Sequence, residues 1–297
     1  MRDFHQYPDF CSGQVVYRVT VLACPSVVEL PFMEYVEKLF ITIPELALVL
    51  GAKRPVATVR ILCTLWFFVV SRKLSHAHAD LPLRVSYVGR SITFFLRYPM
   101  DTAVLKEVFI DKEYEWFPVP DPKVIVDLGA HFGDTALYYH AHFPDATILA
   151  VEPSPENYER LVQHVADIPN IIPIQGAVGT TNGETQLNSV GSGLGHSLVE
   201  RVGTQKTVTV QQFTLGTLLQ RHGVKRADVI KFDIEGGEYA LFKDSQPETH
   251  ARAYIGEVHP DLVPDGGDFS TVFSAFETAT VPIDEHRYLI RAVERTI

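Results

Sequence analysis

The stretch Val124–Leu137, VIVDLGAHFGDTAL, leads a short apolar run through an acid and two glycines into a helix-forming segment. Val124, Ile125 and Val126 form the continuous apolar run of a strand buried on both faces, and Asp127 sets a carboxylate at its C-terminal end. Gly129 and Gly133 permit backbone angles and a close ligand approach that a β-carbon forbids, while the helix that follows offers free N–H groups in its first turn. Parallel α/β enzymes hold nucleotide-like cofactors at such junctions.

The spacing narrows the cofactor. A dinucleotide fingerprint reads G-x-G-x-x-G, whereas here D-x-G-x-x-x-G sets Ala130 and His131 after the first glycine, a poor match for a pyrophosphate cradle. Thr147 to Glu152 reads as the second strand, and Glu152 stands 25 residues beyond Asp127, where an acid can accept hydrogen bonds from both ribose hydroxyls. S-adenosylmethionine, with a ribose and no phosphate, is the expected ligand, bound through Asp127, Gly129, Gly133 and Glu152. Gly176 and Ala177, after the third strand, are candidates for close backbone approach to the adenine; an ordinary tight turn would use the same residues. An NAD-dependent oxidoreductase is a rival that also needs a glycine loop and an acid after strand two.

Outward from this stretch the pattern is α/β, with strands and helices alternating as in a parallel sheet. Strands are expected at 124–127, 147–152, 171–175, 229–232 and 253–258, and helices from about Gly133, over 155–165 and over 215–222. An inserted strand pair is expected near 185–187 and 206–211. Helix 269–276 and strands near 278–283 and 287–293 can close the sheet with a hairpin. Before the core, LRVSYVGRSITFFL at 83–96 reads as a β-hairpin turning at Gly89-Arg90, followed by a helix within 100–114. The expected division is a helical amino-terminal extension over 1–80 and a catalytic domain over 81–297, with the cofactor-binding core at 122–260.

A formal net charge of −10 argues against a nucleic-acid partner. Cys11, Cys24 and Cys63 show neither a disulfide framework nor zinc-knuckle spacing, and the amino terminus lacks the order of a signal peptide, so a cytoplasmic protein is expected. The apolar run 55–70, PVATVRILCTLWFFVV, is interrupted by Arg60 and flanked by Lys53, Arg54, Arg72 and Lys73. It falls short of the roughly 20 apolar residues of a span. It is expected to be a helix packed on the core or on a partner subunit, with peripheral membrane association as the alternative. Oligomeric state is left open.

VIVDLGAHFGDTAL, ILAVEPSPENYERLVQH, GAVG and ADVIKFDIEGGEYALF, in that order, resemble the successive motifs of FkbM-type S-adenosylmethionine-dependent methyltransferases, across about residues 84–260. The resemblance implies a class I methyltransferase sheet, Rossmann-like and mostly parallel with an antiparallel last strand. It also implies methyl transfer to oxygen, on a hydroxyl of a sugar, glycan or small natural product. The chain departs from the family at His131, where asparagine is common, and at Leu215-Gly216, where Leu-Asp is common.

Methyl transfer asks the protein mainly to position the acceptor and to remove a proton. Asp233 and Glu235, beyond the fourth strand, are the expected site acids, Asp233 near the methionine amino group and Glu235 shaping the acceptor pocket. Glu238 starts a helix, where an acid meets the dipole favourably. His259, after the fifth strand, is the first candidate for general base, and His196, in the insertion, the second. The carboxylates and His259 fit no specific metal-ligand motif, so no metal is expected. A methyltransferase-like binding or assembly module without activity is the non-enzymatic alternative.

Overall fold

The computed structural model describes residues 42–51, 55–74, 80–190, 195–197, 206–234, 237–243, 245–260, 269–283 and 287–295. Residues 39–297 belong to one compact unit, and residues 1–38 lie outside the described residues. Within the lead-in a helix runs over 42–50, followed by α1 (Pro55–Leu74). Next come the hairpin β1 (Leu81–Tyr87) and β2 (Arg90–Leu96), and the approach helix α2 (Asp101–Phe109). The hairpin register pairs Tyr87 with Arg90, so the turn is Val88-Gly89, with φ of 47° and 75°. The expected turn was one residue later; two successive positive φ values give the twist that matches flanking strands.

The central sheet has seven strands. In chain order they are β3 (Val124–Leu128), β4 (Thr147–Glu152), β5 (Ile171–Gln175), β10 (Ala227–Phe232), β11 (Ala251–Val258), β12 (Phe276–Pro282) and β13 (Tyr288–Glu294). In space the order is β12-β13-β11-β10-β3-β4-β5. β5, β4, β3, β10 and β11 run parallel, and β13 pairs antiparallel with both β11 and β12. The chain leaves β3 towards β4 and β5 and then returns past β3 to β10, so the crevice between β3 and β10 is the switch point of the sheet, where ligands bind at the strands' carboxyl ends. This is the expected class I methyltransferase arrangement.

The insertion between β5 and β10 is larger than the expected strand pair. It forms a second sheet, β6-β9-β7-β8, from β6 (Ala177–Val178), β7 (Gly183–Val190), β8 (Gly195–Ser197) and β9 (Lys206–Phe213). His196 lies in β8, paired with Ser189.

The helices cover the sheet through buried apolar side chains. Between β10 and β11 and the helices α5 (Glu238–Lys243) and α6 (Phe269–Val272), the aromatic rings of Phe232, Phe242, Tyr254 and Phe273 pack edge to face or tilted, with centroids 4.8–5.5 Å apart for the pairs that involve Phe242 or Tyr254. The approach helix and hairpin meet α3 (Asp134–His142) through Tyr87, Phe109 and Tyr138, whose centroids lie within 5.7 Å of one another. Such pairs add roughly 0.5–1.5 kcal/mol each beyond burial.

Polar contacts fix the approach segment against α4 (Pro155–Val165). Asp101, 0 % exposed, takes Arg160 Nη2 at 2.6 Å and the backbone N–H groups of Arg97 and Tyr98 at 2.7 and 3.0 Å on the same Oδ2. His164, pushed down to about 4 by burial, is neutral; its Nε2 accepts from Phe95 N at 2.8 Å, which leaves Nδ1–H to donate to the Arg160 carbonyl at 2.7 Å. The Arg160 guanidinium also lies 4.6 Å from the centre of the Phe132 ring. Phe132 belongs to the glycine loop, so one buried arginine ties that loop to the approach helix.

Candidate active site

The glycine loop takes its shape from what lies beneath it. Gly129 has φ of 75°, and a β-carbon there would lie 1.8 Å from the carbonyl oxygen of Asp233. Its N–H and that of Ala130 both donate to the Val151 carbonyl, at 3.0 and 2.9 Å. Gly133, at φ 95°, is the N-cap of α3, and a β-carbon would meet Leu161 Cδ1 at 2.9 Å. Both glycines are therefore demanded by packing and left-handed backbone at once. Gly176 is demanded by the Phe213 ring, 2.6 Å from where its β-carbon would sit.

Asp127 is 0 % exposed and faces Lys231, whose Nζ lies 3.1 Å from Oδ1 and donates to the Gly129 and Leu128 carbonyls at 2.8 and 3.4 Å. Burial pushes the Asp127 carboxyl up, with the ammonium opposing. Burial alone would lower Lys231, but Asp127, Asp233 and Asp134 outweigh it and hold the ammonium above the usual lysine range. The sequence reading missed Lys231. Its signal was a lysine in an otherwise apolar strand, ADVIKF, whose partner on β3 emerges only from the β3–β10 register, Lys231 opposite Asp127.

Glu152, at the end of β4, is 4 % exposed, and its two oxygens accept from the backbone N–H groups of His131 and Ser154, each at 2.9 Å. These bonds aim the carboxylate while leaving lone pairs for further donors. Burial pushes it up to about 7, opposed by His131 and the two N–H groups. His131 holds a positive φ of 49°, and its Nδ1 stands 3.6 Å from Asp134 Oδ1. Ser154 caps α4, its Oγ accepting from Asn157 N at 3.5 Å.

A cavity of about 280 Å³ opens above these groups, and Gly129, Glu152, Ala177, Asp233 and Lys231 are among its lining. Gly133 and Asp127 lie beneath the lining rather than on it. Pro153, Val178 and Leu187 give one end an apolar wall. The opposite end is acidic: Glu107 of the approach helix and Glu113 beyond it join Glu257 and Arg287. Burial pushes Glu107 up to about 7, with Arg287 opposing and Glu257 and Asp134 adding to the rise. Glu113 is likewise pushed up to about 7 by burial and by Glu107 and Glu257. These two glutamates were not singled out from sequence, since nothing in a helical run before the first core strand announces which face meets the crevice.

Asp233 takes a hydrogen bond from the Tyr114 hydroxyl at 3.3 Å, and its N–H donates to the Leu128 carbonyl at 3.0 Å. Glu235 lies outside the described residues, and nothing is described of the His196 side chain. His259 is buried behind the lining: Nε2 stands 3.3 Å from Glu257 Oε1 and Nδ1 stands 3.6 Å from Glu238 Oε1. Burial would lower its pKa, but Glu238 and Glu257 overcome that and raise it to about 11. Protonated imidazole has no lone pair with which to take a further proton. Asp233, Glu238 and His259 bring one ligand-type atom each within 4.8 Å of one another, and the imidazolium is itself a cation among these acids. Glu257 is held low against its burial by His259 and by Arg287, whose Nη1 lies 2.8 Å away.

Compared with known proteins, residues 127–289 match the family described as the methyltransferase FkbM domain. A curated relative from Beauveria bassiana, "Methyltransferase 1", is 27% identical over 197 residues, covering 58% of this chain and 78% of its own length. The hexuronic acid methyltransferase AglP of Haloferax volcanii is 24% identical over 143 residues, 48% of this chain and 58% of that protein. Among solved structures, Aeropyrum pernix fibrillarin with bound S-adenosyl-L-methionine aligns over 71% of this chain and 82% of its own, at 17% identity and a TM-score of 0.40.

Proposed function

We propose, from the premise that this chain belongs to the FkbM methyltransferase family, that it methylates a hydroxyl of a sugar, glycan or small natural product. The methyl donor of the family is S-adenosylmethionine, which when bound supplies a methyl group on a positively charged sulfur. The residues present fit that ligand. Glu152, aimed by two backbone N–H groups, offers lone pairs to a ribose diol; Ala177, Pro153 and Val178 offer an apolar slot for a purine; and Asp233 offers a carboxylate to the ammonium of an amino-acid end. Asp127 and Gly133 act from beneath by shaping the loop, while Gly129 lies on the lining itself.

The observation that carries the hydroxyl reading is the pair of glutamates on the approach segment. A carboxylate poised near neutrality and facing the cavity suits removal of a hydroxyl proton. In this reading a carboxylate oxygen of Glu107 or Glu113 takes the acceptor's proton, Arg287 and Glu257 orient the acceptor, and His259 positions Glu257 and Glu238 as a fixed cation rather than acting as the base. A sugar acceptor draws support from the hexuronic acid methyltransferase relative, and a cytoplasmic setting belongs to the same proposal.

The test is incubation with S-adenosylmethionine and a panel of hexoses, hexuronates and polyketide alcohols, with products identified by mass spectrometry and S-adenosylhomocysteine binding followed by calorimetry. An O-methyl product is expected, its rate rising with pH through about 7 as the glutamates ionise and flattening in Glu107→Gln/Glu113→Gln. Cofactor binding without product from any alcohol would favour a binding module instead. Product on nitrogen or carbon alone would overturn the hydroxyl reading.

A further inference from the structure

Between Glu45 and Asp80 the chain has no acidic residue, yet it carries Lys53, Arg54, Arg60, Arg72 and Lys73, in a protein whose net charge is −10. At the centre of this basic segment lies α1, and the helix is apolar on two faces. Ile61, Leu65, Phe68 and Val69 are buried at 3 % exposure or less. A second stripe, Val56, Val59, Cys63 and Phe67, advances by three, four and four residues and so stays on one face. Val56 is 85 % exposed, Val59 58 % and Phe67 68 %, and Cys63 is exposed as well. That stripe runs about 16 Å along the axis. Surface helices normally turn polar residues outward.

No described helix is long and apolar enough to cross a membrane. An outward apolar stripe in a segment whose sequence is rich in cations and free of acids is instead the composition of a helix that lies in the plane of an anionic bilayer. A second copy of this chain fits the stripe poorly: a two-fold contact would bring together two identical segments of net positive charge, with no acid in either sequence segment to relieve them.

We propose that α1 docks on the surface of an anionic lipid bilayer. Val56, Val59 and Phe67 enter the boundary between headgroups and acyl chains, and the positive charge that the sequence concentrates between Glu45 and Asp80 draws the helix to lipid phosphates. The acceptor cavity, built at the strand ends of the sheet, is thereby held to a membrane surface.

Flotation of the full chain with vesicles tests this. Vesicles with about 30% phosphatidylserine in phosphatidylcholine should carry at least about ten times more protein than phosphatidylcholine alone, and raising salt from about 0.1 to about 0.5 M should release it. Val59→Asp/Phe67→Asp should abolish flotation while leaving the melting temperature and S-adenosylhomocysteine affinity unchanged. Cys63 should react with a maleimide in the lipid-free chain and be protected by the anionic vesicles. Failure to float, equal flotation with both vesicles, or flotation unchanged in the variant would overturn the proposal. So would a dimer in sedimentation that the variant dissociates without any vesicle binding, which would assign the stripe to a second copy. Cys63 already protected without lipid would assign it to another segment of this chain.

Discussion

Lys231→Met removes the ammonium that faces Asp127 while keeping a side chain of similar length. In the native protein Nζ meets three oxygens, Asp127 Oδ1 at 3.1 Å and the Gly129 and Leu128 carbonyls at 2.8 and 3.4 Å, and both charged side chains are essentially buried. Breaking one side of a buried pair leaves a charge without compensation and costs about 3–5 kcal/mol. Against a typical total stability of about 5–15 kcal/mol, that is a large share. The loss should depend on pH. Burial already raises Asp127 with the lysine present, and without it nothing comparable opposes burial, so the folded variant holds its proton to higher pH than the unfolded chain, which ionises near 3.9. A carboxyl raised in the folded state contributes most at low pH, and that contribution is lost as pH rises through the folded pKa. The deficit of the variant should therefore widen between pH 5 and pH 8, by up to about 1.4 kcal/mol per unit. Urea unfolding followed by circular dichroism at several pH values measures it. Asp127→Asn/Lys231→Met, which removes both charges, should recover part of the loss, with a coupling of about 1–3 kcal/mol. A single-variant deficit below about 1 kcal/mol, or one that stays flat with pH, would refute the pairing argument.

Two further outcomes follow from the loop and the second strand. Glu152→Ala should weaken S-adenosylhomocysteine binding by about 1–3 kcal/mol, as for loss of a charged acceptor, and native affinity should fall as pH drops below about 7 because protonation removes that charge; calorimetry across this range that finds neither effect would exclude a ribose contact. Gly129→Ala should destabilise the fold by about 3 kcal/mol or more, because its β-carbon would collide with the Asp233 carbonyl at a positive φ, and a melting temperature within a degree or two of native would contradict the close approach.

Sequence alone determined the order and kind of the core elements. Continuous apolar runs such as VIV and ILAV can be satisfied only in strands covered on both faces, and Ser154-Pro155 starts a helix by local capping chemistry, so 147–152, 155–165 and 171–175 match the structure residue for residue. Glu152 could be named because its place, at the end of the strand after the glycine loop, is a matter of spacing along the chain. The structure alone decided which charges meet. Lys231 lies 104 residues from Asp127 and faces it only because β10 returns beside β3, and His259 becomes a cation only because Glu238 and Glu257 converge on it. Likewise Glu107 and Glu113 reach the cavity only through the packing of the approach helix on α3 and α4. A side chain's protonation depends on neighbours within a few ångströms and on burial, and neither is a property of local sequence. The motifs therefore gave the cofactor, and the tertiary contacts gave the electrostatics of the site.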